Sequence, residues 1–272
     1  MKNKIEELIC KDELSVLRKY QLTIVEMMKI VDKICRDNEI TYWIDSGTLL
    51  GAVRHKGFIP WDDDSDICMP RKDYNKFISI IEKELPKPIV YEYKESNTWY
   101  QSGIDIQPGF IKLYYLDTFK SFDRSLKGDF KGVFIDIFPV DLVDENMCSN
   151  VIYKYISKLT RIKYKNPGSI KDKIRNKLQN IGLENLWIRK SEYLERKGKD
   201  KFFVYGIETL FAESKYMQKK EDIYPLREIV FENHKFYAPN NTDSYLLKLY
   251  GDYMELPPLE DRLPHLIDLR IE

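Results

Sequence analysis

The sequence predicts a mixed α/β fold of the α+β class: a mixed sheet flanked by helices, with an additional, mainly helical region toward the C-terminus. Three observations predict it. Helix and strand patterns interleave over the first 145 residues. The acidic residues that stand out lie in strand-like runs rather than on helices. From Val151 to Asp200 the texture turns basic and helical. The expected division is a core over 1–145, a basic helical insertion over 146–202, and a segment over 203–272 that packs back on the core.

Taken in order, "SVLRKYQLTIVEMMKIVDKICRDN" reads as an amphipathic helix, with Leu22, Val25, Met28 and Ile34 at helical intervals. "ITYWI" follows as a short strand of β-branched and aromatic residues. "DSGTLLGAVRHKGFIPW" is broken by Gly47, Gly51, Gly57 and Pro60, with one short helix over Thr48 to Arg54. "DSDICM" alternates as a strand, and "RKDYNKFISIIEKEL" is a helix that stops before Pro86. "PIVYEY", "GFIKLYYLDT" and "GVFIDIFPV" are strands. On the first basic helix Ile152, Tyr155, Ile156, Leu159 and Ile162 form an apolar stripe. Val204 to Asp252 returns to strand and helix patterns.

Composition narrows the function. Lys+Arg and Asp+Glu balance at 44 each, so global charge gives no reason to expect a nucleic-acid partner. The cysteines, Cys10, Cys35, Cys68 and Cys148, form no CxxC pair, and with three His no zinc site is expected. Scattered cysteines suit a reducing cytosol. "MKNKIEELICKDEL" lacks the apolar core of a signal peptide, and no run approaches the roughly 20 apolar residues of a membrane span. The expected location is cytoplasmic, with membrane association through the basic region as an extension.

"FIPWDDDSDICMP" places Asp62, Asp63, Asp64 and Asp66 within five positions. Two unit charges about 4 Å apart repel by roughly 4 kcal/mol at an effective dielectric near 20. Such a run is usually a solvated face. Three further features bear on the balance, and the last two reverse it. In an extended chain Asp64 and Asp66 point to one face, where their oxygens suit a hard cation such as Mg²⁺, with Mn²⁺ as a substitute. Asp136 sits alone among Phe134, Ile135, Ile137 and Phe138, a costly position without a partner. Upstream, Ser46, Gly47 and Thr48 form a turn whose following N–H groups can receive a phosphate. A phosphate turn beside three acids fits metal-assisted phosphoryl transfer.

These stretches resemble the LicD/fukutin family of the nucleotidyltransferase-like superfamily. The resemblance runs through "YWIDSGTLLGAVRHKGFIPWDDDSDICMPRKDY", "GVFIDIFPVD", "YPLREIVFENHKFYAPNN" and "YLLKLYGDYMELPP". It implies a nucleotidyltransferase-like catalytic core, with Gly47, Asp64, Asp66 and Asp136 on the superfamily pattern. Asp64, Asp66 and Asp136 are then metal ligands and catalytic groups, and Asp62 joins in metal or phosphate binding. Thr48 stands where the superfamily has Gly or Ser, and Ser65 replaces an apolar residue and should face the core. The resemblance also implies a CDP-linked donor, a glycan or lipid-linked glycan acceptor, and transfer of phosphocholine or a related phospho-substituent with release of CMP.

Secondary candidates carry alternatives. Arg54 pairs either with a phosphate or with the nearby aspartates. Lys112, on an apolar strand, needs a counter-charge, either donor phosphate or a structural carboxylate. Asp45 is expected to be structural, as a helix cap, and His55 a surface or hydrogen-bonding residue. Trp43, Trp61, Trp99 and Tyr100 are candidates for an aromatic cage around a choline headgroup. The basic stretch from Lys154 to Lys199 is either a solvated surface or a dock for an acidic glycan or the inner face of an anionic membrane. Two other functions compete: nucleotidyl transfer from an NTP to a small molecule, and a non-catalytic glycan- or nucleotide-binding domain.

Overall fold

The computed structural model describes residues 2–93, 106–123, 128–160, 162–164, 166–179, 181–199, 201–209 and 216–271. After α1 (Lys2–Ile9), Ser15 caps α2 (Val16–Asp37) by accepting from the Arg18 N–H at 3.2 Å. Then come β1 (Trp43–Ile44), α3 (Ser46–His55), β2 (Asp66–Pro70), α4 (Arg71–Glu84) and β3 (Ile89–Glu92). β4 (Ile106–Pro108), β5 (Ile111–Asp123) and β6 (Gly128–Val143) lead into α5 (Glu145–Ser149) and α6 (Val151–Thr160). β7 (Ile162–Tyr164), α7 (Ile170–Gln179), α8 (Glu184–Arg196) and β8 (Phe202–Tyr205) follow. The last stretch holds β9 (Gln218–Lys219), α9 (Lys220–Ile223), β10 (Arg227–Phe231), β11 (His234–Ala238), α10 (Thr242–Tyr250) and β12 (Leu266–Ile271).

The main sheet runs β1-β2-β6-β5-β12, with β3 also on β5, β8 on β6 and β9 on β8. Only the β2–β6 pairing is parallel; the others in this sheet are antiparallel. β6 is long enough to carry β2 along 136–140 and β8 along 140–143. The β5–β6 register shifts between Tyr115 and Lys120. Gly132 sits opposite this bulge at φ +113°, where an added Cβ would lie 2.5 Å from the Tyr115 carbonyl oxygen, so only glycine fits.

Period-two alternation sorts the sheet's two faces. Ile67, Met69, Ile111, Leu113, Ile135 and Ile137 join the main core with Tyr20, Ile24 and Met28 of α2 and Phe77 and Ile81 of α4. Asp66, Lys112, Tyr114, Phe134 and Asp136 occupy the other face. A second core forms where α8 meets β6 and β8, around Val143, Ile156, Trp187, Leu194 and Val204.

The sheet and its flanking helices match the sequence expectation, with three corrections. The helical region is α5–α8, while residues 202–271 mix strands with α9 and α10; β8 and β12 enter the main sheet, and β10–β11 is a hairpin turning at Glu232 and Asn233, both at positive φ. β2 begins at Asp66 rather than Asp64: the Ser65 carbonyl makes the first bond to β6, accepting from the Asp136 N–H at 2.9 Å, and the Asp66 N–H turns to the Thr48 hydroxyl at 2.9 Å. On α6 only Ile156 of the expected stripe is buried; Ile152 and Tyr155 are exposed, since α8 covers a single line of that helix. The Ile162 side chain lies outside the description. Among the described residues no helix is long and apolar enough to cross a membrane.

Candidate active site

The parallel β2–β6 step sets Asp66 directly opposite Asp136. The β5–β6 register places Lys112 opposite Asp136, and the β3–β5 register places Glu92 opposite Lys112. Directly opposed residues share a face, so four ionisable side chains form a row across four strands. Lys112 Nζ lies 2.5 Å from Asp136 Oδ1 and 3.9 Å above the Phe134 ring. Of the two counter-charges the sequence left open for Lys112, the fold supplies the carboxylate. Glu92 is buried and accepts from the Tyr114 hydroxyl at 3.2 Å.

Beside this row α3 begins. Asp45 is the cap residue by position, yet its side chain makes no capping bond. It is fully buried instead, accepting from the Tyr205 hydroxyl, from Tyr245 at 2.7 Å and from the Cys68 thiol at 3.0 Å. Its structural role is therefore to tie α3 to β8, α10 and β2. Ser46 adopts φ +45°, strained for a non-glycine residue, with its hydroxyl 3.0 Å from that of Tyr205. Thr48 is buried; its hydroxyl accepts from the Asp66 N–H at 2.9 Å and donates to Ser65 at 3.3 Å. The Thr48 side chain therefore positions β2, and its backbone N–H is what remains for a ligand. An added Cβ on Gly47 would lie 3.0 Å from Asp62 Oδ2, so the glycine admits the Asp62 carboxylate against the helix start.

The four acids divide their labour. Asp63 turns inward, accepting from the Leu266 N–H at 2.6 Å and standing 3.3 Å from His265 Nδ1. Asp64 lies 3.6 Å from the same nitrogen. Asp62 Oδ2 is buried without a hydrogen-bond partner among the described residues. Burial, reinforced by Asp64 and Asp63, holds the Asp62 carboxyl well above the usual carboxylate range. Burial, with Asp64 and Asp136 nearby, does the same to Asp66. Asp64 is pushed up to about 6, first by burial, while His265 opposes the shift. His265 is in turn raised to about 9, first by its hydrogen bond to Asp63.

Arg54 does not join this cluster. Its Nη1 donates to the carbonyls of Tyr253 at 2.9 Å and Glu255 at 3.4 Å, and its Nε to His55 Nε2 at 2.9 Å. Among the described residues no carboxylate forms an ion pair with it. Of the two partners the sequence left open for Arg54, the aspartates are not the one it meets: α3 aims Arg54 at the loop after α10. Trp43 is core, packed edge-on against Phe203, and cannot line a cage; Trp61 is half-buried beside a cleft; Trp99 and Tyr100 lie outside the described residues. Sequence reasoning missed His265, Tyr205 and Tyr245, about 160 to 200 positions from their carboxylate partners. No local pattern marks them; the surplus of negative charge, which demands buried donors, was the only signal.

Oxygen donors alone suit a hard cation rather than zinc. Among the described residues no three acid, imidazole or thiol groups already form a metal cage. Mg²⁺ commonly binds through one or two carboxylates, with water and substrate phosphates completing its shell. The partnerless Asp62 oxygen and the facing Asp66 and Asp136 fit that pattern.

Fold and site together define a mixed-sheet protein with an acidic centre at a parallel strand step, beside a glycine-led helix start. The family model described as LicD/FKTN/FKRP, nucleotidyltransferase domain, matches residues 39–189. Over 268 residues the chain is 30% identical to the lipopolysaccharide cholinephosphotransferase LicD of Haemophilus influenzae, covering 92% of this chain and 95% of that protein. An uncharacterized protein of Rickettsia typhi is 34% identical over 131 residues, 48% of this chain and 38% of the relative. The ribitol-5-phosphate transferase FKTN of Mus musculus is 29% identical over 68 residues, 25% of this chain and 15% of that protein. The chain belongs to the LicD family.

Proposed function

We propose that the protein is a Mg²⁺-dependent transferase, with Mn²⁺ able to substitute, that moves phosphocholine or a related phospho-substituent from a CDP-activated donor to a cell-surface glycan or its precursor. The register that faces Asp66 with Asp136 and holds Asp136 by Lys112 carries this reading. The acceptor hydroxyl oxygen forms a bond to the donor's β-phosphorus. The bond from that phosphorus to the bridging oxygen breaks, and CMP leaves with its electron pair. Asp62, Asp64 and Asp66 hold the cation; Asp136 either completes the ligand set or takes the acceptor's proton, a contribution of about 10²–10⁴-fold. A bound divalent ion would neutralise the carboxylates and offset charge on the leaving group. Ser46, Gly47 and the Thr48 N–H receive phosphate at the start of α3. The exposed bases and apolar side chains of α6–α8 rest on an anionic membrane that carries a lipid-linked acceptor.

A panel of CDP-choline, CDP-ethanolamine and CDP-alditols, scored for CMP with and without acceptor glycan, tests the reading. CMP that depends on acceptor and on Mg²⁺ is expected. Pyrophosphate from NTPs with no CMP from any CDP donor would favour nucleotidyl transfer. Binding without turnover of either would favour a non-catalytic domain.

A further inference from the structure

Next to the acids, a cleft of about 520 Å³ opens between α3 and the loop after α10, lined by Arg54, Trp61, Tyr250, Tyr253 and Pro257 among others. Its size suits a small ligand. Tyr250 lines the cleft with part of its side chain exposed; burial first, then the charges of Asp66, Asp45, Asp62 and Asp64, push its hydroxyl above its ordinary range. Arg262 contacts two of the lining residues, its guanidinium carbon 5.4 Å from the Trp61 ring centroid and its Nε donating to the Pro257 carbonyl at 2.8 Å. Burial and the nearby Arg262 charge both push the Arg54 guanidinium below its ordinary range. Both side chains are half-buried and donate to backbone carbonyls or, for Arg54, also to His55; among the described residues neither has a carboxylate in ion-pair contact. Asp252 and Glu255 also line the cleft, but both are exposed and form no ion pair with either arginine among the described residues.

Two guanidiniums anchored on carbonyls of one loop, Arg54 on Tyr253 and Glu255 and Arg262 on Pro257, with a flat aromatic ring beside Arg262, make a place for a phosphate ester that carries a ring of its own. We propose that this cleft binds the nucleoside monophosphate half of the donor, with Arg54 and Arg262 on its phosphate and Trp61 against its base or sugar. The assignment rests on the transfer reading above and adds Arg262 and Trp61 to it. A phosphorylated sugar of the acceptor offers the same anion chemistry and is the alternative source.

The test is direct binding rather than turnover. The protein is titrated with CMP, cytidine, inorganic phosphate and glucose 6-phosphate, read by calorimetry and by the Trp61 indole N–H resonance, assigned through Trp61→Phe. CMP is expected to bind and shift that resonance, and cytidine to bind at least tenfold more weakly. Arg262→Gln should weaken CMP at least tenfold at unchanged melting temperature, and Arg262→Lys less. CMP affinity unchanged in both variants overturns the proposal. So does glucose 6-phosphate or inorganic phosphate binding as tightly as CMP with the same Arg262 dependence. If Arg262→Gln does not fold, the wild-type resonance decides, and no shift with CMP overturns the proposal. Arg262-dependent CMP binding without CMP release from any donor would sink the transfer reading and leave this site standing.

Discussion

The acid-bearing sheet and the basic helices treat charge in opposite ways. In the sheet, buried charge meets buried charge. Arg71 forms paired bonds with Asp141 at 2.7 and 2.8 Å and with Glu208 at 2.5 and 2.8 Å, and the Trp187 indole donates to Asp141 at 2.8 Å. Lys112 meets the half-buried Asp136 through a single contact of 2.5 Å. In α6–α8 the bases face solvent beside exposed Val151, Ile152, Tyr155, Ile170, Ile174 and Leu186. A fold can hold a negative surplus inside a sheet only with rigid partners, whereas a basic apolar surface suits a partner it does not bury alone.

The largest effect expected is on stability. Arg71→Ala leaves Asp141 and Glu208, both almost fully buried, without their cation. Urea unfolding should show a loss of about 3–5 kcal/mol; a loss under about 1 kcal/mol would mean that the network is incidental to the sheet. Asp66→Asn should lower donor-dependent CMP release by about 10²–10³-fold, the cost typical of removing one electrostatic stabiliser. Because Asp66 is crowded by other carboxylates, its melting temperature without divalent ions should hold or rise. Marked unfolding would give Asp66 a structural role instead.

On the other side of the contrast, Ile152→Ser with Tyr155→Ser should reduce sedimentation with anionic vesicles about tenfold. Wild-type binding should fall steeply with salt; equal binding to neutral vesicles would remove the electrostatic half of the comparison, and concentration-dependent dimers without vesicle binding would replace the membrane with a second copy.

The smallest effect is on pH dependence. Asp64, raised to about 6, makes the folded state bind more protons than the unfolded chain between about 4 and 6, so this contribution falls as pH rises through that window. His265 is raised to about 9, so its stabilisation is complete below about 6.5 and disappears as pH rises toward 9. Its imidazole is 63% exposed, which screens the effect. Scanning calorimetry without divalent ions should therefore show a melting temperature a few degrees lower at pH 9 than at pH 6. A rise over that range would contradict the assigned environments.

Local pattern carried much of this outcome. The periodicity of α2 and α4, the strand character of β5 and β6, and the isolation of Asp136 in an apolar run were all legible; that β2 and β6 are neighbours, which sets Asp66 opposite Asp136, was a condition the sequence left open. Alternation cannot say which member of "DDDSD" turns inward, because the answer depends on Leu266 arriving to receive Asp63. Nor could it aim Arg54, whose acceptors belong to the loop after α10. Those choices depend on contacts some 200 positions apart, to which hydrophobic period is blind.

The bond from Leu266 to Asp63 spans 203 positions. During synthesis the aspartate loop leaves the ribosome long before the strand that clamps it. A polypeptide that stops ahead of residue 265 lacks both that latch and the histidine next to it, and a tag or cut within β12 would reach the acidic cluster from the far end of the gene.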